Sequence, residues 1–205
     1  MRRLRFAALL LLLPLLLCAC GSRFSPDERG MGYVDKKTDR RYLALPTAYE
    51  AAAREVKETG AYVDKKHGRT VNFYPIPGLD AALYLTDDNA FVYCAADEAP
   101  DAKNWAIDAV LVCEEDAVSV ENKRLTDPAE IAPIRDAWFT GEQTELPLDK
   151  ADFARRLKFT CEAYPNLYYC VSFYAYEDGT AYLRDAETGR VVICPAASAE
   201  VLRSA

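Results

Sequence analysis

Seven cysteines, one histidine and 32 carboxylates are the side chains of this 205-residue sequence whose chemistry could serve catalysis or metal binding. Five of the cysteines, Cys94, Cys113, Cys161, Cys170 and Cys194, fall in the body of the chain. None stands in a Cys-x-x-Cys pair, so neither dithiol redox catalysis nor a zinc ribbon is expected. Their odd number leaves at least one thiol free. Cys161 and Cys170 flank the turn Tyr164-Pro-Asn-Leu167, and a simple hairpin register would place them opposite each other. A disulfide there suits an oxidising exterior; the alternative is a pair of buried thiols serving as small apolar side chains. His67 lies in the polar run Asp64-Lys-Lys-His-Gly-Arg69, and no Gly-x-Ser-x-Gly nucleophile elbow accompanies it. A lone histidine also excludes a multi-histidine metal site. Acidic clusters occur at Asp87-Asp88, at Asp97-Glu98 with Asp101, and at Glu114-Glu115-Asp116. Calcium sites and glycosidase pairs both use carboxylates, but no EF-hand spacing is present and each cluster falls in a predicted turn. The glycines form no phosphate cradle, so no cofactor and no metal is expected.

The N-terminus carries a different kind of chemistry. Arg2, Arg3 and Arg5 precede a twelve-residue apolar run, Phe6 to Leu17. That run is too short to cross ~30 Å of hydrocarbon as a helix, which needs about 20 residues, and Pro14 interrupts it. It fits the hydrophobic region of a signal peptide. The run ends in Leu17-Cys18-Ala19-Cys20-Gly21-Ser22, which resembles the lipobox of bacterial lipoproteins, with Cys18 departing from the usual Ala, Ser or Thr. The resemblance covers residues 1–22. It implies diacylglycerol on Cys20, cleavage after Ala19, and a domain anchored on the extracytoplasmic face of the cell membrane. Two acyl chains make such anchoring stable where one binds marginally.

Loss of residues 1–19 removes three arginines and no acid. The mature chain then holds 22 basic and 32 acidic side chains, a net of −10. A surface of that sign repels nucleic acid. It also argues against electrostatic docking on anionic lipid.

The elements that must position these groups follow from pattern. Residues 20–31 are polar and broken by Gly and Pro, as expected of the lipidated cysteine and a flexible tether. In the segment 32–80, Tyr33-Val-Asp-Lys-Lys37 recurs as Tyr62-Val-Asp-Lys-Lys66. Two copies suggest a local duplication or paired strands rather than an array. Between them, Thr47-Ala-Tyr-Glu50 matches a capping box and Gly60 a helix stop, so a short N-terminal helix is expected over 48–58. Residues 81–205 read as a domain. A hairpin is expected over 82–94, and strands over 107–121. A principal helix is expected at about 128–140, opened by Asp127-Pro128 and striped by Ile131, Ile134 and Trp138. A meander from Leu157 to Cys194 and a short helix near 197–203 complete the order. The fold class expected is α+β: a mainly antiparallel sheet with that helix packed on one face. The layout from 107 onward resembles small extracytoplasmic lipoprotein domains of Gram-positive bacteria.

The remaining surface hint is aromatic. Along the strand from 168 to 176, Tyr168, Tyr174 and Tyr176 share one face and Phe173 the other. If Phe173 faces the core, the three tyrosines form a surface stripe, a residue type that often carries interface energy. The function expected is therefore a membrane-anchored, non-enzymatic binding or accessory domain whose partner is an envelope protein, peptide or glycan. Two rivals are an envelope hydrolase using carboxylates, with or without calcium, and a structural subunit of a membrane complex. A single clustered acidic pocket would favour the hydrolase; acids scattered over turns would count against it.

Overall fold

A computed structural model describes residues 22–51, 56–95, 97–115 and 120–205. Cys20 and the segment expected to be a signal peptide lie outside the described residues.

The Tyr-Val-Asp-Lys-Lys repeat is a turn-building device. Asp35 ends strand β2 (Gly32–Asp35), and its carboxylate accepts from the Lys37 N–H at 3.0 Å and the Thr38 hydroxyl at 3.1 Å. Asp39 then takes the left-handed conformation, φ 57°, and the chain returns as β3 (Arg40–Ala44). Asp64 does the same after β5 (Gly60–Asp64), accepting from the Lys66 and His67 N–H groups at 3.0 and 3.2 Å, with Gly68 at φ 63° before β6 (Arg69–Pro75). A third copy of the device, unmarked by the lysines, joins β13 (Ala181–Arg184) to β14 (Val191–Ile193). There Asp185 accepts from the Glu187 N–H and the Thr188 hydroxyl, both at 2.9 Å, and Gly189 sits at φ 70°. Asx turns of this kind satisfy turn amides that a strand ladder cannot reach.

Seven antiparallel strands form the first sheet, in the order β1 (Phe24–Pro26), β2, β3, β8 (Val92–Ala95), β7 (Tyr84–Asp87), β6, β5. Its two edges nearly meet. The Ser22 hydroxyl accepts from the Val63 N–H at 2.9 Å and donates to the Ala61 carbonyl at 3.1 Å, tying the start of β1 to β5. Gly60 makes this approach possible, since a Cβ there would stand 2.6 Å from Arg23 Cδ. The near-barrel is filled by Phe24, Tyr42, Val71, Phe73, Leu85 and Tyr93. The two repeat tyrosines, Tyr33 and Tyr62, meet at its mouth with ring centroids 5.6 Å apart.

The second sheet runs β10 (Glu121–Leu125), β9 (Ile107–Glu114), β11 (Phe153–Cys161), β12 (Leu167–Ala175), β13, β14. Strand β4 (Tyr49–Ala51) pairs with the first half of β12, beside the stretch that pairs with β13. Val110, Val112, Leu157, Phe159, Val171 and Phe173 point from this sheet into its main core. They meet Ile131, Ile134 and Trp138 of α1 (Pro128–Thr140) and Leu202 of α2 (Ala196–Arg203). Asp127 caps α1 by accepting from the Ala129 N–H at 2.8 Å. Pro133 lies on the exposed side of α1, where the carbonyl it leaves unpaired can face water. A further cluster, including Leu45, Tyr49, Ile76 and Tyr84 with Trp105, Cys161 and Leu167, packs one sheet on the other.

Four expectations are corrected. The class is not α+β: 43% of the described residues are strand against 14% helix, in two antiparallel sheets. The helix expected over 48–58 is absent where the structure describes it; Tyr49–Ala51 is strand, and residues 52–55 lie outside the described residues. Its apparent capping box is spent on distant partners. The Thr47 hydroxyl donates to Glu187 at 2.8 Å, and Glu50 pairs with Arg156 and Lys158. The stretch expected as a tether to residue 31 is folded from Phe24 onward, with Phe24 buried inside the near-barrel. Nor does a boundary fall between 80 and 81, since β7 and β8 complete the first sheet.

Candidate functional site

The face of the second sheet turned away from the helices carries the polar chemistry. On β12, Val171 and Phe173 are fully buried against the helices, so Tyr168, Cys170, Ser172 and Tyr174 occupy the other side. Across from Cys170 and Ser172 on β11 stand Lys158 and Arg156. Both cations reach Glu50 on β4, at 3.0 Å for the lysine and 2.7 Å for the arginine. The three side chains are only 21% (Glu50), 17% (Arg156) and 12% (Lys158) exposed. Burial works to raise the Glu50 pKa, but Lys158 and Arg156 outweigh it and hold the carboxyl below its ordinary range. Two cations share one carboxylate, so the cluster keeps an unpaired positive charge.

This cluster divides the tyrosines. Tyr174 donates to Glu115 at 2.9 Å, and Tyr176 packs edge-on to Tyr182 with centroids 5.7 Å apart. Tyr168 lies on the far side of the cluster, with the Lys158 ammonium 5.2 Å from its ring centre. The three tyrosines share a face but do not form one patch, and each is half-buried.

Tyr168 instead lines a groove of about 480 Å³ between β9, β10, β11 and the β11–β12 turn. Ala109 and Leu111 make an apolar floor, with Cys113 buried beside them. Tyr164 and Pro165 form one wall. The rim is polar: Asp108, Arg124, Thr126, Thr160 and Asn166. Four of these five rim groups are held by side-chain hydrogen bonds. Arg124 is forked onto Glu121 with both bonds at 3.0 Å, Thr160 donates to Asp108, and Asn166 donates to the Pro77 carbonyl at 2.9 Å. Asn166 takes a left-handed conformation, φ 61°, which turns the chain sharply between β11 and β12. Tyr164 stacks on Trp105 at 5.2 Å. A pocket with an apolar floor and a few fixed polar groups is the usual form of a small-ligand site.

Most of the other candidate groups have structural partners; Asp97 and Glu98 are exposed. Cys161 and Cys170 do not form a disulfide; they are the buried thiols of the alternative reading. Lys158, not Cys161, opposes Cys170, and the alternation of β11 and β12 puts the two cysteines on opposite faces of the sheet. All five cysteines are free and buried. Burial pushes the Cys94 thiol up to about 11, the Cys194 thiol to about 12, and Cys170 further still, so these thiols stay protonated and poorly nucleophilic. His67 Nδ1 lies 2.7 Å from Asp64 within its exposed turn. Of the acidic clusters, Asp87 accepts from two turn amides and the Tyr93 hydroxyl, Asp88 from Asn72 and Tyr74, and Asp101 caps the 3₁₀ turn Ala102–Asn104. Glu114 pairs with Arg155; Asp116 lies outside the described residues. Among the described residues no three of His, Cys, Asp and Glu converge as a metal site would require, and no helix is long and apolar enough to cross a membrane.

Sequence reasoning missed the groove and the Glu50 cluster. Both join residues from strands far apart in the chain, and the one available signal was the run of alternate polar residues, Arg156, Lys158 and Thr160, on β11. No family model matches the chain, and no curated protein or solved structure matches it either.

Proposed function

We propose that the mature chain is a lipid-anchored extracytoplasmic binding domain, non-enzymatic, that takes an envelope peptide or glycan in the groove beside Tyr168. Support for the anchor is the Leu17-Cys18-Ala19-Cys20 sequence after a short apolar run. Support for binding is the groove itself. Its 480 Å³ falls in the ~300–1,000 Å³ range of small-ligand sites. Tyr164, Tyr168 and Leu111 offer apolar contact, while Arg124, Asp108, Thr160 and Asn166 offer both donors and acceptors around it. Such a lining suits a ligand with hydroxyls or amides and both charge signs, as envelope peptides and glycans have. The engagement of Asp87, Asp88, Asp101 and Glu114 in turns and ion pairs, and the protonated state of the Cys94, Cys170 and Cys194 thiols, favour binding over hydrolysis.

One observation carries the reading: Tyr168 closes an apolar-floored groove whose polar rim is held in place by the fold. The test is titration of the protein with soluble peptidoglycan fragments, each a disaccharide bearing a peptide, followed by amide NMR. Saturable shifts confined to β9, β11 and the 162–168 turn are expected, and Tyr168→Ala should abolish them while leaving the remaining spectrum intact. Equal shifts in Tyr168→Ala, or shifts at a different face, would remove the groove from consideration. The anchor is tested separately by metabolic labelling with an alkyne fatty acid, which Cys20→Ala should eliminate.

A further inference from the structure

A sheet edge presents a row of backbone donors and acceptors that only another strand, a side chain or water can satisfy. Most edges here are closed. Ser22 ties β1 to β5 through the Val63 N–H and the Ala61 carbonyl. Strand β14 is covered by Gln143, which bridges to Val192, and by the Thr144 N–H, which donates to the Val191 carbonyl at 2.9 Å. Glu50 of β4 bridges to Phe91. Strand β10 stands apart. It is the terminal strand of the second sheet and pairs with β9 on one side. Among the described residues, no backbone hydrogen bond reaches its other side. An antiparallel partner engages alternate residues, so the remaining N–H and C=O groups of β10 point outward. Glu121, Asn122 and Arg124 are exposed, which leaves this flank open.

The register assigns the charges of β10 to faces. Arg124 stands opposite Leu111, on the groove side, and is forked onto Glu121. Lys123 stands opposite Val112, on the helix side. Its ammonium donates to the Val201 carbonyl and the Ser204 hydroxyl, each at 3.4 Å, at the C-terminal end of α2. Both acceptors are neutral, so among the described residues Lys123 has contacts but no carboxylate in an ion pair with it. In a mature chain of net charge −10, this half-buried cation beside an open edge is the local exception.

We propose that β10 accepts an extended peptide segment of a partner as an added antiparallel strand, with an acidic residue of that segment beside Lys123. A peptide backbone fits this edge because it repeats a donor and an acceptor at strand spacing, which the hydroxyls of a glycan do not. Alternate side chains of the added strand come next to Arg124 on the groove side and next to Lys123 on the helix side, where opposite charge across the pair is favourable. A second copy of β10 is a poor occupant: the strand has five residues, is bulged between Glu121 and Lys123, and would bring its own cations to the seam. The pairing uses the outer edge of β10 and not the Tyr168 side chain. It therefore goes beyond the groove reading and is tested apart from it.

The full-length chain in detergent micelles is titrated with an eight-residue peptide of alternating Thr and Asp, and amide hydrogen exchange is followed by NMR. Saturable slowing confined to β10 is expected. Two further peptides carry N-methyl groups, one on every Thr and the other on every Asp. Because successive amides of a strand point to opposite flanks, one of the two should bind as the parent does and the other should not bind. A peptide of alternating Thr and Lys should bind at least about three-fold more weakly than the Asp peptide, and Lys123→Glu should reverse that order. The methylated pair uses the wild-type chain and so decides the pairing whatever the folding of Lys123→Glu. Equal binding by the two methylated peptides, no saturable slowing, or an order unreversed in a folded Lys123→Glu chain would overturn the proposal. So would slowing that is present without peptide and grows with protein concentration, because the edge would then belong to a second copy.

Discussion

Replacing Glu50 with Gln leaves two cations side by side on β11 without their shared carboxylate. Removal of one partner from a fully buried ion pair costs ~3–5 kcal/mol, and from an exposed pair ~0–1 kcal/mol. The Glu50, Arg156 and Lys158 side chains are 21%, 17% and 12% exposed, close to the buried limit but with some access to water. A loss of roughly 2–3 kcal/mol at neutral pH follows from that intermediate position. For a chain of this size each kcal/mol moves Tm by ~2–4 °C, so a drop of about 4–12 °C is expected. The pH dependence has a definite sign. The Glu50 pKa is lowered in the folded state, so its contribution is fully present above the unfolded value, ~4.3, and is lost as pH falls through the folded value. The gap between wild type and Glu50→Gln should therefore be constant from pH 7 to about pH 5 and shrink below that. Urea unfolding followed by tryptophan fluorescence measures both. A gap below ~0.5 kcal/mol at pH 7, or one that widens in acid, would refute the assignment of these three groups as a coupled cluster.

The twin turns allow a matched comparison: Asp35 is 1% exposed and forked onto Arg23, so Asp35→Ala should cost about 1.5–3 kcal/mol, whereas Asp64→Ala, in an exposed turn, should lower the urea midpoint clearly less. Equal losses at the two positions would contradict the difference in burial. Mass spectrometry and thiol titration should find five reactive thiols in the unfolded mature body, none in the native protein within the dead time of the assay, and no change in Tm on adding reductant. A two-hydrogen mass deficit in the native protein would establish a disulfide that the register forbids.

Much of the strand framework was legible because side-chain alternation is local. Leu157, Phe159 and Cys161 alternate with Lys158 and Thr160, and that period alone marks β11. The Asp127-Pro128 start of α1 is equally local. What failed was any inference whose outcome depends on a distant partner. Thr47 and Glu50 have the types and spacing of a helix start, but their side chains are claimed by Glu187 and by the β11 cations, and the backbone at Tyr49–Ala51 completes a sheet instead. The α+β expectation followed from the same gap. Short strands such as β1 and β4 carry too few residues for a period to be read, and counting them as tether and helix removed strands from both sheets. The groove was unreadable for a further reason: Asp108, Arg124, Thr160 and Tyr168 come from four strands, and their convergence is a property of register.

The placement of β4 has a consequence for how the chain assembles. Glu50 belongs to the first quarter of the sequence, yet Arg156, to which it bonds, lies 106 residues later. A polypeptide delivered N-terminus first would hold this short segment idle until β11 and β12 arrived. The hairpins of the first sheet close locally, but the seam between the sheets waits for the last third of the chain. Such non-local pairing slows acquisition of the native state. If the chain is exported as proposed, threading through a narrow channel gains from that delay: the final cooperative step is withheld until almost the entire polypeptide has emerged.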